Sequence, residues 1–177
     1  MNSKMSEELK IPKDRVAVLI GEKGSTKRKI QKLTNTKITV SSKEGDVLIE
    51  GEDNYRIFVT GNIVRAIGRG FNPNIALKLL KEDYALDMIG INEFSGKSKK
   101  QEERIKSRAI GTDGKARRTL EKMTNTNICI YGKTIGIIGP MEDVYLAKRS
   151  LTKLLQGSPH TTVYKFIDRE KEKQETL

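Results

Sequence analysis

The sequence predicts an α+β protein built from two copies of one small module. Two Gly-x-x-Gly segments, 21–24 and 111–114, stand 90 residues apart, and the residues around them repeat with the same offset. The chain has 177 residues, of which 36% are hydrophobic and only 5% aromatic. Two small aliphatic cores fit this composition better than one large core, because small domains bury a smaller share of their surface.

The repeat extends well beyond the glycines. An isoleucine precedes each segment, an arginine follows it, a Thr-Asn-Thr triplet comes ten residues later, and another isoleucine follows the triplet. The matched pairs are Ile20/Ile110, Arg28/Arg118, the triplets 34–36 and 124–126, and Ile38/Ile128. A match over a whole unit indicates two related domains.

The first copy has the predicted order β-α-α-β-β-α. Apolar residues at helical spacing predict helices over 13–20 and 26–33, and a longer one over 53–69. A strand is predicted over 9–12. Alternating residues predict a hairpin with strands over 37–41 and 47–49, turning at Glu44-Gly45-Asp46.

The second copy repeats that order. We predict a strand over 85–94, helices over 99–110 and 115–123, a hairpin with strands 127–131 and 134–138, and a helix over 142–155. Asn72 followed by Pro73 predicts the start of a short connector helix. Ser158-Pro159 predicts a last helix that runs into a frayed or disordered charged tail, 168–177. The expected domains are therefore 1–70, a helical connector 71–84, 85–157, and a C-terminal helix and tail 158–177.

The charge of the chain indicates a polyanionic partner. Lys and Arg number 34 against 23 Asp and Glu, a net charge of +11 with a pI of about 9.7. RNA, DNA or anionic lipid would suit such a chain, and ordinary solubility charge is the alternative. No run approaches the ~20 apolar residues of a membrane span. Because residues 1–10 also lack an apolar signal core, we expect a cytoplasmic protein without a membrane partner.

The sequence argues against catalysis. Cys129 is the single cysteine, in an apolar alternating run, and we expect a buried, inert thiol. His160 is the single histidine, so the usual zinc ligand sets are missing. There is no Walker A sequence and no repeated acidic pair suited to two metals. We therefore predict no enzyme activity, no metal and no cofactor.

The context of the two Gly-x-x-Gly segments predicts phosphate binding. A third match, 136–139, lies along a predicted strand and is attributed to chance. The other two each join two helices and precede a basic one, where glycine allows close approach of a phosphate and the helix N-terminus favours anions. The candidate RNA-binding residues of the first copy are Ile20, Gly21, Glu22, Lys23, Gly24, Lys27, Arg28, Ile38 and Val40. Those of the second copy are Ile110, Gly111, Thr112, Asp113, Gly114, Lys115, Arg117, Arg118, Ile128 and Ile130.

Alternatives stay open for several of these residues. The isoleucines and Val40 also suit a hydrophobic core, and the basic helix face also suits plain solvation. Glu22 and Asp113 disfavour phosphate beside their side chains but not beside their backbone. A groove between such a loop and a strand edge suits unstacked single strands, because bases in a duplex are hidden.

Residues 18–30 (VLIGEKGSTKRKI) resemble the signature of the type I K-homology (KH) domain. The resemblance implies a three-stranded antiparallel sheet with helices on one face, and a loop that clamps about four nucleotides. The second copy departs from the pattern at Asp113 and in its longer preceding helix.

The connector (68–84) and the runs 117–121, 131–134 and 160–166 resemble a narrower family, the archaeal relatives of the eukaryotic small-subunit assembly factor called "partner of Nob". That resemblance implies binding near the 3′ end of small-subunit rRNA and help in its processing. It also implies contact with the endonuclease that trims this end, and with translation or ribosome components.

Other interpretations remain. One is a general regulator of mRNA, or a subunit of an RNA-degradation complex. Another makes the second copy a protein-interaction surface that docks a partner through Val163, Phe166 and Ile167. We expect a monomer.

Overall fold

A computed structural model describes residues 5–177. Residues 1–4, which belong to the predicted first domain, lie outside the described residues. The chain divides into two compact units, 1–82 and 83–177, and each contains one copy of the repeat. Between residues 5 and 177, no helix is long and apolar enough to cross a membrane.

The first unit has the expected order of elements. They are β1 (Met5–Lys10), α1 (Lys13–Ile20), a 3-10 turn (Glu22–Gly24), α2 (Ser25–Thr34), β2 (Lys37–Val40), β3 (Asp46–Gly51) and α3 (Asn54–Gly68). The connector follows as α4 (Pro73–Ala76) and a 3-10 helix (Leu77–Leu80), both packed on α3. The strands form an antiparallel sheet in the order β1-β3-β2, so β2 lies at an edge.

The second unit repeats this arrangement and adds helices. Its elements are β4 (Tyr84–Gly90), α5 (Asn92–Ser95), α6 (Lys99–Ile110), a 3-10 turn (Thr112–Gly114), α7 (Lys115–Thr124), β5 (Asn127–Tyr131), β6 (Thr134–Pro140), α8 (Met141–Leu155) and α9 (His160–Glu175). The sheet order is β4-β6-β5, again antiparallel, with β5 at an edge. The α+β fold with two three-stranded sheets is therefore confirmed.

The first strand begins earlier than the predicted 9–12. β1 covers Met5–Lys10 and pairs with β3 along its whole length. Glu7 pairs with Arg65 of α3, a charged pair on the helix-covered face of the sheet. A charged residue at an inward position hid the alternation that predicts a strand. Asp87 of β4 and Lys148 of α8, 3.0 Å apart, form a related pair in the second unit.

The predicted strand over 85–94 is too long. It ends at Gly90, and Asn92–Ser95 form a helical turn. The Ile91 N–H donates to the Lys133 carbonyl at 2.8 Å, and the Phe94 N–H donates back to the Ile91 carbonyl at 3.0 Å. Ile91 is buried in the core. The apolar residues at 91 and 94 thus reflect packing, not an extended strand.

The C-terminal tail is helical where fraying was expected. α9 runs from His160 to Glu175 and packs on α7 and α8. Val163 and Ile167 are fully buried in the core of the second unit, so neither can dock a partner protein. Glu170 bonds Lys173 at 2.9 Å and Arg149 at 3.0 Å. The hydrogen bond from Lys173, aided by the one from Arg149, lowers the pKa of Glu170.

Cys129 differs from its prediction as well. Its thiol is half-buried, not buried, because Cys129 alternates with the inward-facing Ile128 and Ile130 along the edge strand β5.

The Thr-Asn-Thr triplets end α2 and α7 in the same way. Asn35 and Asn125 adopt the left-handed conformation, with φ of 51° and 54°. Asparagine tolerates this conformation better than most residues. The Thr34 hydroxyl donates to the Ile30 carbonyl at 2.8 Å and lies 2.7 Å from the Thr36 hydroxyl. The second copy has equivalent bonds of 2.7 and 2.8 Å. The triplet therefore repeats for a structural reason, because it sets the turn from the helix into the edge strand.

Candidate nucleic-acid interface

The first glycine of each loop has a backbone conformation that other residues almost never adopt. Gly21 has φ 74° and ψ 174°, and Gly111 has φ 73° and ψ 174°. A Cβ on Gly21 would lie 2.8 Å from the Thr26 backbone nitrogen, and one on Gly111 would lie 2.7 Å from the Ala116 backbone nitrogen. Glycine therefore lets the loop fold tightly onto the start of the following helix.

The last glycine of each loop lies beside an arginine. Gly24 is left-handed, with φ 76°, and a Cβ there would meet Arg28 Nη1 at 2.9 Å. Arg28 Nη1 donates to the Lys23 carbonyl at 2.6 Å, so the guanidinium folds back onto the loop. A Cβ on Gly114 would likewise lie 3.0 Å from Arg118 Nη1. Both copies thus hold a cation next to the loop backbone, where it can neutralise a phosphate.

The third loop position carries opposite charges in the two copies. Lys23 and Asp113 are both exposed and both left-handed, with φ of 50° and 52°. The first loop thus presents Lys23, Lys27 and Arg28, whereas the second presents an acid followed by Lys115, Arg117 and Arg118. The backbone geometry that can receive a phosphate is shared, but the surrounding charge is not.

The free edge of each outer strand faces the helix that follows the loop. The Ile38 N–H of β2 donates to Gln31 Oε1 of α2 at 2.8 Å, and the Ile128 N–H of β5 donates to Glu121 Oε1 of α7 at 2.8 Å. Backbone groups alternate in direction along an antiparallel strand. Val40 and Ile130 therefore present their N–H and C=O to the same open edge. Such groups can hydrogen-bond the edge of an unpaired base.

The predicted apolar contacts divide into two sets. Ile38 and Ile128 are 1% and 3% exposed, so their side chains belong to the core and only their backbone can reach a ligand. Ile20, Val40 and Ile130 are half-buried, and Ile110 is 37% exposed. Their accessible parts can line the groove between loop and strand.

Arg117 distinguishes the second groove. Its Nη1 donates to Glu121 Oε1 at 3.0 Å, and the Ile128 carbonyl lies 3.4 Å away. The first copy has Lys27 and the neutral Gln31 at these positions. A guanidinium fixed at a strand edge can donate to base acceptors as well as to phosphate. Gln31 and Glu121 were absent from the predicted site. They stand 90 residues apart, the offset of the repeat, and each has a side-chain carbonyl or carboxylate oxygen, so the repeat itself could have identified them.

The loop backbone, its flanking cations and the free strand edge are the features of each unit that can contact a nucleic acid. From Met5 onward, no three His, Cys, Asp or Glu side chains come together as metal ligands would. In each unit, the loop, the basic helix after it and the edge strand bonded to that helix follow one another along the chain.

Family models match both units. Residues 6–69 match the KH domain, and residues 85–172 match the eukaryotic type KH-domain (KH-domain type I). The second match includes most of α9, which the structure places in the core of that unit.

Known proteins resemble most of the chain. A KH domain-containing protein of Methanocaldococcus jannaschii is 44% identical over 96% of this chain and 76% of its own length. The pre-rRNA-processing protein PNO1 of Gibberella zeae is 29% identical over 78% of this chain, which spans only half of that protein. A chain in the crystal structure of the a/eIF2α–aDim2p–rRNA complex from Pyrococcus horikoshii has a TM-score of 0.90 and 41% identity, covering 96% of each chain.

Proposed function

The chain belongs to the PNO1/Dim2-like family of tandem KH-domain proteins, and from that premise we propose that it binds single-stranded ribosomal RNA in the cytoplasm and serves pre-rRNA processing. The names of its relatives support both parts, since one is a pre-rRNA-processing protein and another was crystallised with rRNA. Its role is to hold the RNA and not to cleave it.

One observation carries this proposal. In both units, a glycine-bent loop flanked by cations leads into a helix that hydrogen-bonds the free edge of the outer strand, where further backbone donors and acceptors stay open. The loop can take phosphates, and the edge can take bases only if they are unpaired. Duplex RNA can offer its phosphates to the loop, but its paired bases cannot reach the strand edge.

We further propose that the chain binds near the 3′ end of small-subunit rRNA and presents that end to the endonuclease that trims it. The family resemblance supports this assignment. Crosslinking the protein in cells and sequencing the attached RNA tests it, because reads spread over mRNA would favour the general regulator instead.

Variants in which both middle positions of each loop are aspartate test the RNA site more cleanly than glycine changes. A side chain at Gly21 would collide with the backbone of Thr26, so loss of binding there could simply reflect misfolding. Glu22 and Lys23 are exposed, and Asp113 shows that an acid fits the third position. We expect Glu22→Asp with Lys23→Asp, combined with Thr112→Asp, to weaken single-stranded RNA binding at least tenfold without lowering the melting temperature.

Ser42→Asp with Lys43→Asp, in the exposed turn before β3, lowers the net charge by the same three units and serves as the control for added negative charge. If the loop variants bind RNA as tightly as this control, the loops are not the site.

The absence of catalysis has a separate test. Pure protein incubated with the rRNA fragment and Mg²⁺ or Mn²⁺ should leave the RNA intact. Metal-dependent cleavage that disappears in the loop variants would instead make this chain a nuclease.

A further inference from the structure

A groove on the second unit lies beside its Gly-x-x-Gly loop, and no residue of the edge strand β5 is among the described residues that line it. It is formed by α6, the loop, the first turns of α7 and the start of α9. Its lining includes Arg104, Arg108, Thr112, Lys115, His160 and Tyr164. No acidic residue is among the described residues that line it.

The groove is a fixed part of the fold. Arg108 Nη2 donates to the Ser158 carbonyl at 2.7 Å, and His160 Nε2 lies 2.9 Å from the Arg108 carbonyl. Buried Val163 and Ile167 hold the rest of α9 against the same unit. The His160 and Tyr164 rings, 6.3 Å apart, are both half-exposed beside this anchor.

Within residues 5–82, the first unit has no equivalent of this basic surface at the matching positions. Ninety residues before Arg104, Arg108 and Lys115, the chain has Asp14, Val18 and Ser25. The long basic helix α6 therefore places its cations on a face that is specific to the second copy. The shared RNA-binding geometry of the two modules does not account for this difference.

We propose that the RNA strand held by the second loop continues into this groove, with phosphates against Arg104 and Lys115 and a base stacked on Tyr164. This inference rests on the proposed function. Gly111 and Thr112 belong to the loop and also line this groove, so an RNA strand that leaves the loop on this side enters the groove directly. Cations interleaved with aromatic rings are typical of surfaces that follow a single strand without reading its sequence.

The experiment compares a core RNA of about four nucleotides, the length that one KH groove holds, with RNAs extended by about four nucleotides at the 5′ or the 3′ end. The full chain carries Glu22→Asp and Lys23→Asp, so that binding reports on the second unit. Fluorescence anisotropy over a salt series gives the affinity and its salt slope.

Arg104→Gln should weaken binding of one extended RNA several-fold and reduce its salt slope by about 0.7, the value for one phosphate contact on a single strand. Tyr164→Leu should weaken the same RNA about fivefold or more, because a stacked base is lost. Neither variant should change binding of the core RNA. Lys165→Gln, an exposed lysine on α9 outside the groove, is the charge-matched control.

The inference is overturned if both extended RNAs lose no more affinity in Arg104→Gln than in Lys165→Gln. A protein partner, and not RNA, would then be the candidate ligand of the groove. Arg104 is exposed, so this variant remains informative even if Tyr164→Leu lowers the melting temperature. Failure of the proposed function gives a different result, in which the core RNA itself is not bound or is insensitive to the loop variants.

Discussion

Lys23 and Asp113 have the same left-handed backbone conformation and opposite charges, so the residue of either loop fits the backbone of the other. We predict that Lys23→Asp weakens RNA binding by the first unit and that Asp113→Lys strengthens binding by the second. Each change should alter the salt slope by up to about 0.7, in opposite directions. Anisotropy at several salt concentrations measures both, and equal affinities for the two variants would contradict the claim that these loops contact phosphate.

The two glycines of the first loop should differ in their effect on folding. Alanine at Gly21 needs a glycine-only conformation and collides with the backbone of Thr26, so we expect a loss of about 2–3 kcal/mol. Alanine at Gly24 must adopt a left-handed conformation and meets only the far end of the flexible Arg28 side chain, so we expect a loss of about 1 kcal/mol. Urea unfolding of the two variants tests this order, and a larger loss at Gly24 would contradict it.

At the scale of single residues, the sequence predicted the two loops and the edge strands, but not the helix side chains that hydrogen-bond those strands. Repeated glycines and cations are visible because their spacing is local. The bonds from Ile38 to Gln31 and from Ile128 to Glu121 join a helix to a strand across a turn. In the sequence, a polar residue on a basic helix gives no sign of such a bond, and a short strand gives no sign that Ile38 is buried.

At the scale of elements, α9 is the clearest departure from expectation. Its charged second half is helical because Glu170 bridges Arg149 of α8 and Lys173 of its own helix. A run of alternating charges without apolar residues looks disordered when the neighbouring helix is unknown. By contrast, the start of the helix after Asn72 was predicted correctly, because the Asn74 N–H donates to Asn72 Oδ1 at 2.9 Å, a purely local bond.

The ion pairs of Glu170 predict a pH dependence. Its pKa is lowered in the folded chain, chiefly by the hydrogen bond from Lys173, so the folded state favours the ionised carboxylate. This contribution to stability is present above the unfolded pKa of about 4.3 and is lost as the pH falls through the lowered folded value. We expect Glu170→Gln to lower the melting temperature at neutral pH.

In acid, below the folded pKa of Glu170, the variant and the natural chain should melt together. Glu172→Gln, an exposed glutamate on the same helix, serves as the control. If Glu170→Gln lowers the melting temperature equally at neutral and acid pH, the ion pairs of Glu170 do not stabilise the fold through its charge.

At the scale of the whole molecule, the net charge of +11 and the repeat carry most of the functional argument. Positive charge alone would bind any polyanion, with an affinity that falls steeply with salt. The repeated loop and strand edge narrow this to unpaired strands. Sequence patterns reached that point, whereas the groove of α6, α7 and α9 required the fold, because its residues lie up to 60 positions apart in the chain.

The most direct test of the central claim compares one rRNA sequence as a single strand and as a duplex, at physiological salt. The full chain should bind the single strand at least tenfold more tightly, and the combined loop variant should lose most of that preference. Equal affinity for both forms, unchanged by the loop variants, would reduce the interaction to charge and contradict the account.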